Sequence, residues 1–209
     1  MSYLVDRKQE LIDATVQHLL ITLSAVALGA LLALPLALLA RRYARLESGI
    51  LGAATGLYTI PSLALFPLLV PFTGISATTV VIGIALYSLT ILVRNTLEGL
   101  RSVPEEVRES AVGLGYSPLR LLFQIELPLA LPVMMAGLRI ATVSAVALTT
   151  DGSLVAYGGL GNLLADGVND DFKAQILAAS VLCVLLALVL DVLLLGMQWV
   201  LTPWTRRAG

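Results

Sequence analysis

Apolar residues run through this chain in long blocks, not in the strict alternation of a half-buried strand or the single stripe of a surface helix. A helix needs about 20 apolar residues to cross a bilayer. The blocks from about His18 to Ala40, Ile50 to Phe72, Thr78 to Val93, Leu129 to Thr150 and Ala174 to Leu201 each approach that length. Five transmembrane helices are therefore expected in an all-α integral membrane protein, residues 1–209 forming a single transmembrane domain. Pro61, Pro67 and Pro71 interrupt the second block and predict an irregular span. Acidic Asp6, Glu10 and Asp13 precede the first block, which is also longer than a signal-peptide core, so it reads as a retained helix.

Charge placement gives an expected orientation. One side of a five-span chain holds Arg41, Arg42, Arg45, Arg94, Arg101, Arg108, Arg120, Arg206 and Arg207; the other holds Arg7, Lys8 and Lys173. Lys and Arg accumulate on cytoplasmic loops, which places the N-terminus outside and the C-terminus in the cytoplasm. Composition agrees with a membrane solvent: 58% of residues are hydrophobic and 13% are charged, against about 25% charged in soluble domains. Mean hydropathy is +0.92. Net charge is -1 with no basic block, which argues against a nucleic-acid partner, and the single Cys183 excludes a disulfide scaffold.

The longest polar interruption, about residues 94–128, carries helix signals of its own. Ser102, Pro104 and Glu105 have the spacing of a capping box, and Gly113 or Gly115 would end that helix. Ser117-Pro118 starts a second short helix, expected to stop at Pro128. A solvated surface loop is the plainer alternative. Within the segment, Glu109-Ser110-Ala111, then Gly115 after three residues, then Ile125-Glu126-Leu127-Pro128 after nine more, resembles the EAA loop of ABC importer permeases. The departure is Ser110 at the middle alanine. The strings Thr59–Pro67, Ala136–Arg139 and Gly158–Gly161 narrow the resemblance to osmoprotectant permeases for glycine betaine, choline or carnitine, of the ProW/ProZ and OpuB/OpuC kind.

That resemblance implies the type I importer (MetI-like) permease fold and a cytoplasmic coupling loop that docks on an ATPase. Glu109, Ser110, Ala111, Gly115, Ile125, Leu127 and Pro128 are then the ATPase-coupling residues. It further implies two ABC ATPase subunits, a second permease copy or paralogue, an extracytoplasmic substrate-binding protein, a small-molecule substrate and a bacterial plasma or inner membrane. The methionine-type importer permeases share the loop and are the nearest alternative.

Chemistry for the chain to act alone is scarce. There is no Walker A pattern, so ATP and Mg are expected on the partner, with no cofactor in this chain and no enzymatic role. The single histidine, His18, is expected at the outer edge of the first span and makes no metal site. An autonomous secondary transporter is a weaker alternative, since no internal repeat is visible. Intramembrane charges need partners or water. Arg139 lies eleven residues after Pro128 and Asp191 twelve before Pro203, so antiparallel helices bring both to a depth of about 16–18 Å at about 1.5 Å per residue. They form a candidate pair; the alternative is that Asp191 faces a partner subunit and Arg139 snorkels. Tyr58, Thr59, Pro61 and Ser62, at the irregular second span, are candidate pathway residues, with a kinked packing helix as the alternative. Leu160, Leu163 and Leu164 predict a short outer helix amid Asp151, Asp166, Asp170 and Asp171, a gate or docking lip against the alternative of a solvated acidic loop.

Overall fold

A computed structural model describes residues 7–204; Asp6, Arg206 and Arg207, used above, lie outside the described residues. Helices α1 (Lys8–Arg42), α2 (Ala44–Thr59), α3 (Ser62–Thr73), α4 (Ala77–Arg101), α5 (Glu105–Gly113), α6 (Pro118–Leu121), α7 (Leu127–Asp151), α8 (Leu160–Asn169) and α9 (Lys173–Leu201) follow in order. A π turn, Leu122–Glu126, joins α6 to α7, and a 3₁₀ turn, Gly152–Val155, follows α7. No strand occurs among the described residues.

Helices α1, α4, α9 and the rod built from α6, the π turn and α7 are each long and apolar enough to cross a membrane. The second expected span is a bent pair: α2 and α3 meet at 102° across Ile60-Pro61, giving a fifth crossing when the pair is taken together. Only Pro61 breaks the chain; Pro67 and Pro71 ride inside α3.

Helix α4 is central, packing on α1 and α7 along its length and on α2 and α3 at its flank. One apolar cluster joins Ile21, Ala25, Phe66, Val80, Ile84 and Ala145; a second joins Ala33, Ala37, Leu89, Val93, Leu97 and Ala141. Without a hydrophobic difference between side chain and lipid, close backbone approach and dispersion hold such helices together. The α4–α7 approach shows this: a Cβ on Gly137 would lie 2.4 Å from Asn95 Cβ. Helix α9 packs on α7 and α8 but leaves Leu177, Val181, Val184, Leu188 and Val192 exposed, an apolar outer face suited to lipid or another membrane chain.

Four expectations are corrected. The helix of the third block does not stop at Arg94: α4 continues two turns to Arg101, so the first part of the polar segment is helical and the helix breaks at Ser102. Ser102 therefore closes α4, its Oγ donating to Gly99 O at 2.8 Å, and the capping box with Glu105 does not form; Pro104 precedes α5 without a side-chain cap. Pro128 does not end a helix. In the π turn, Leu127 N–H donates to Leu122 O, five residues back, and Pro128 falls in the first turn of α7, where its missing donor is tolerated. His18 is not exposed at the edge of its span: it is fully buried, its Nε2 hydrogen-bonded to Val146 O at 3.0 Å. The Gly158-Gly159 turn presses on it, leaving no room for a Cβ on Gly159 beside the His18 backbone. The short helix expected after Asp151 is α8, with Leu160 and Leu163 buried against Leu11 and Ala179.

Candidate functional site

The polar segment folds into a helix pair at one end of the bundle. Helix α5 ends at Gly113 and the chain reverses at Gly115, whose φ of +82° lies in the left-handed region open to glycine. Tyr116 N–H donates to Ala111 O at 3.1 Å and Gly115 N–H to Val112 O at 2.9 Å, closing the helix end. Ser117 then caps α6 by accepting from Arg120 N–H, with Pro118 in the first turn. Ala111 is buried, whereas Glu109 and Ser110 face outward, the Ser110 hydroxyl donating to Glu106 O. Ile125, Leu127 and Pro128 are half-buried at the root of α7. Around the turn Val112, Leu114, Leu119 and Phe123 stand exposed, Leu114 at 79%. This apolar set beside a free carboxylate has the character of a docking surface.

A residue that sequence reasoning missed anchors the pair. Glu126 is 4% exposed and accepts from two arginines on different helices. Arg41, near the end of α1, donates Nη1 to Oε2 at 2.8 Å and Nη2 to Oε1. Arg108 on α5 donates Nε to Oε1 at 3.0 Å, Nη2 to Leu100 O at 2.6 Å and Nη1 to Glu105 Oε2 at 2.9 Å. The Glu126 carboxylate thus ties the end of α1 and α5 to the root of α7, and Arg108 carries the link on to the end of α4 through Leu100 O. The available signal was a glutamate in the variable position of Ile125-Glu126-Leu127-Pro128, within an apolar stretch.

Deeper in the bundle, Arg139 on α7 and Asp191 on α9 come together in a two-pronged ion pair, Nε to Oδ1 at 2.8 Å and Nη2 to Oδ2 at 2.9 Å. The pair is not enclosed: Arg139 and Asp191 keep 27% and 31% of their side-chain surface open. It faces a shallow recess lined also by Ala136, Val143 and Ser144.

Tyr58, Thr59, Pro61 and Ser62 lie at the α2–α3 break and line one recess of about 380 Å³ with Tyr87 and Ser144. Tyr87 OH donates to Ile60 O at the break, where the kink frees a carbonyl. Thr59 Oγ1 bonds Gly56 O, so its hydroxyl turns back on its own helix. Ser144 lines both recesses, which places the ion pair and the kink along one side of α7. Among the described residues no group of three or more His, Cys, Asp or Glu side chains is placed to hold a metal.

Comparison with known proteins returns one family model, described as the binding-protein-dependent transport system inner membrane component, matching residues 20–207. The osmoprotectant import permease protein OsmW of Salmonella typhimurium is 39% identical over 206 residues, 96% of each chain. The carnitine transport permease OpuCB of Listeria monocytogenes is 33% identical, over 97% of this chain and 93% of its own. The glycine betaine/carnitine/choline permease OpuCD of Bacillus subtilis is 35% identical, over 92% and 85%. Among solved structures, an inward-facing MetNI methionine ABC transporter superposes with a TM-score of 0.86 at 19% identity, over 94% of this chain and 98% of that one. An amino acid ABC transporter with histidines gives 0.69 at 17% identity, over 96% of each chain. These two likenesses are of fold.

Proposed function

We take as premise that the chain belongs to the family of binding-protein-dependent transport system inner membrane components, and we propose that it carries compatible solutes of the glycine betaine, choline and carnitine kind. It is a permease subunit of an ABC importer with the MetI-like fold, set in the inner membrane by several crossings. Curated relatives at 30–39% identity over nearly their whole length are named for osmoprotectant, choline or carnitine import, which favours these solutes over methionine. The methionine-type likeness rests on fold at 19% identity.

The observation that carries the coupling reading is the helix pair around Gly115: Glu109 and an apolar rim outward, Glu126 and two arginines locking its base to α1, α4 and α7. In this reading an ATPase subunit takes the pair in a groove on the cytoplasmic side, with the N-terminus outside. ATP binding and hydrolysis occur on that partner, with Mg. A load on α5 passes through Glu126 into α1 and the root of α7 as a rigid-body shift, because the three elements share one carboxylate. A second permease chain encloses the path, and an extracytoplasmic protein delivers substrate.

The test is co-purification in mild detergent from the native host. An ATP-binding subunit recovered with the wild-type chain, and lost from the Glu109→Arg and Gly115→Val variants that still insert, supports the reading. Recovery of the chain alone, transporting solute without ATP, refutes it.

A further inference from the structure

The recess at the α2–α3 break holds chemistry that ATPase coupling does not use. Tyr58 and Tyr87 meet edge to face there, ring centroids 5.6 Å apart and planes at 81°. Tyr87 is fixed by its hydroxyl bond to Ile60 O. Tyr58 is 50% exposed, so aromatic surface is presented to the recess, not spent in the core. At about 380 Å³ the space falls in the range of small-molecule sites, about 300–1,000 Å³.

A negative charge stands beside it. Ser62, one of the lining residues, donates to Asp151 Oδ2 at 2.7 Å. Asp151 also lies within Coulombic reach of Tyr87. Among the described residues no Lys, Arg or His pairs with this carboxylate. A hydroxyl donor leaves its charge in place, and its position closing α7 adds the negative end of that helix dipole. The contrast with Asp191, which Arg139 neutralises, is direct.

A soft cation bearing methyl groups is attracted to aromatic faces and to a nearby carboxylate, and a neutral group of the same shape gains little from either. We propose that this recess is a passage site for the quaternary ammonium head of the transported solute, Tyr58 supplying the ring face, the buried Tyr87 holding that ring edge to face, and Asp151 giving the counter-charge. The inference rests on the importer reading and names the substrate contact within it. An open site with one exposed ring and one carboxylate holds its cation weakly, as a site on a path must.

The experiment uses the full chain in lipid nanodiscs, with choline as probe and 3,3-dimethylbutan-1-ol as its uncharged isostere, binding read by calorimetry. The wild type binds the cation and not the alcohol. Tyr58→Leu and Asp151→Asn each weaken cation binding about tenfold, while Tyr58→Phe retains it. Tyr58 is exposed and Asn at 151 can still accept from Ser62, so both variants are compatible with the fold. No cation binding by the wild type, equal binding of the alcohol, or full binding by Tyr58→Leu overturns the proposal. Co-purification of the ATPase with the wild type is scored in parallel. Its absence sinks the importer reading, whereas its presence with failed cation discrimination sinks this inference alone.

Discussion

Arg41 and Glu126, 85 positions apart, form a partly buried two-pronged ion pair that fastens the end of the first membrane helix to the base of the helix pair around Gly115. Arg108 shares the same carboxylate from α5. Replacing the carboxylate by an amide removes its charge and sets an NH2 donor against the guanidinium groups, while Arg108 keeps Leu100 O and Glu105. Glu126→Gln is expected to lower stability by about 1–3 kcal/mol, the usual range for a buried polar partner left unsatisfied. A thermal melt in detergent checks the sign. If α5 loses its tie to α7, ATP hydrolysis in the assembled transporter also becomes less responsive to substrate.

Arg139 and Asp191 are coupled in the same way inside the membrane. Arg139→Gln or Asp191→Asn alone leaves one charge unpaired at bilayer depth and lowers the yield of inserted protein. The double variant removes both charges and recovers much of it. Membrane-fraction immunoblots of the four proteins measure this; a double variant no better than the worse single one contradicts it.

Gly115 occupies a left-handed turn with open space where a Cβ would stand, so a side chain there is strained by its backbone, not by crowding. Gly115→Val costs about 1–2 kcal/mol locally and tilts α5 against α6. Insertion stays normal while ATPase recruitment falls. Asn, which adopts this conformation more readily, restores part of it in the same co-purification assay.

Gly137 presents the opposite case. Its backbone is ordinary helix, but Asn95 fills the place of a Cβ. Gly137→Ala forces α4 and α7 apart and is expected to cost about 1–3 kcal/mol, read as a lower melting temperature.

Much of this architecture was legible in the sequence because membrane solvent makes apolar block length nearly decisive. The start of α6 at Ser117-Pro118, the turn at Gly115 and the equal depths of Arg139 and Asp191 follow from local rules and helical rise. What local rules missed depended on long-range contacts. The extension of α4 past Arg94 follows from packing against α7, where Gly99 lies against Ala130, and that extension takes Ser102 away from its expected cap. His18 reads as interfacial in one dimension but is enclosed by Val146 and the Gly158-Gly159 turn, more than a hundred residues away. Glu126 is visible as a charge in the sequence; its two partners are visible only in the fold.

ATP-driven uptake tests the proposed coupling most directly, in proteoliposomes that contain the permease with a partner ATPase and a binding protein, and with radiolabelled glycine betaine outside. Wild-type vesicles loaded with ATP should accumulate the solute, and vesicles carrying Glu109→Arg should insert normally but fail to accumulate it. Uptake that proceeds without ATP, or at the wild-type rate in Glu109→Arg, would contradict the account.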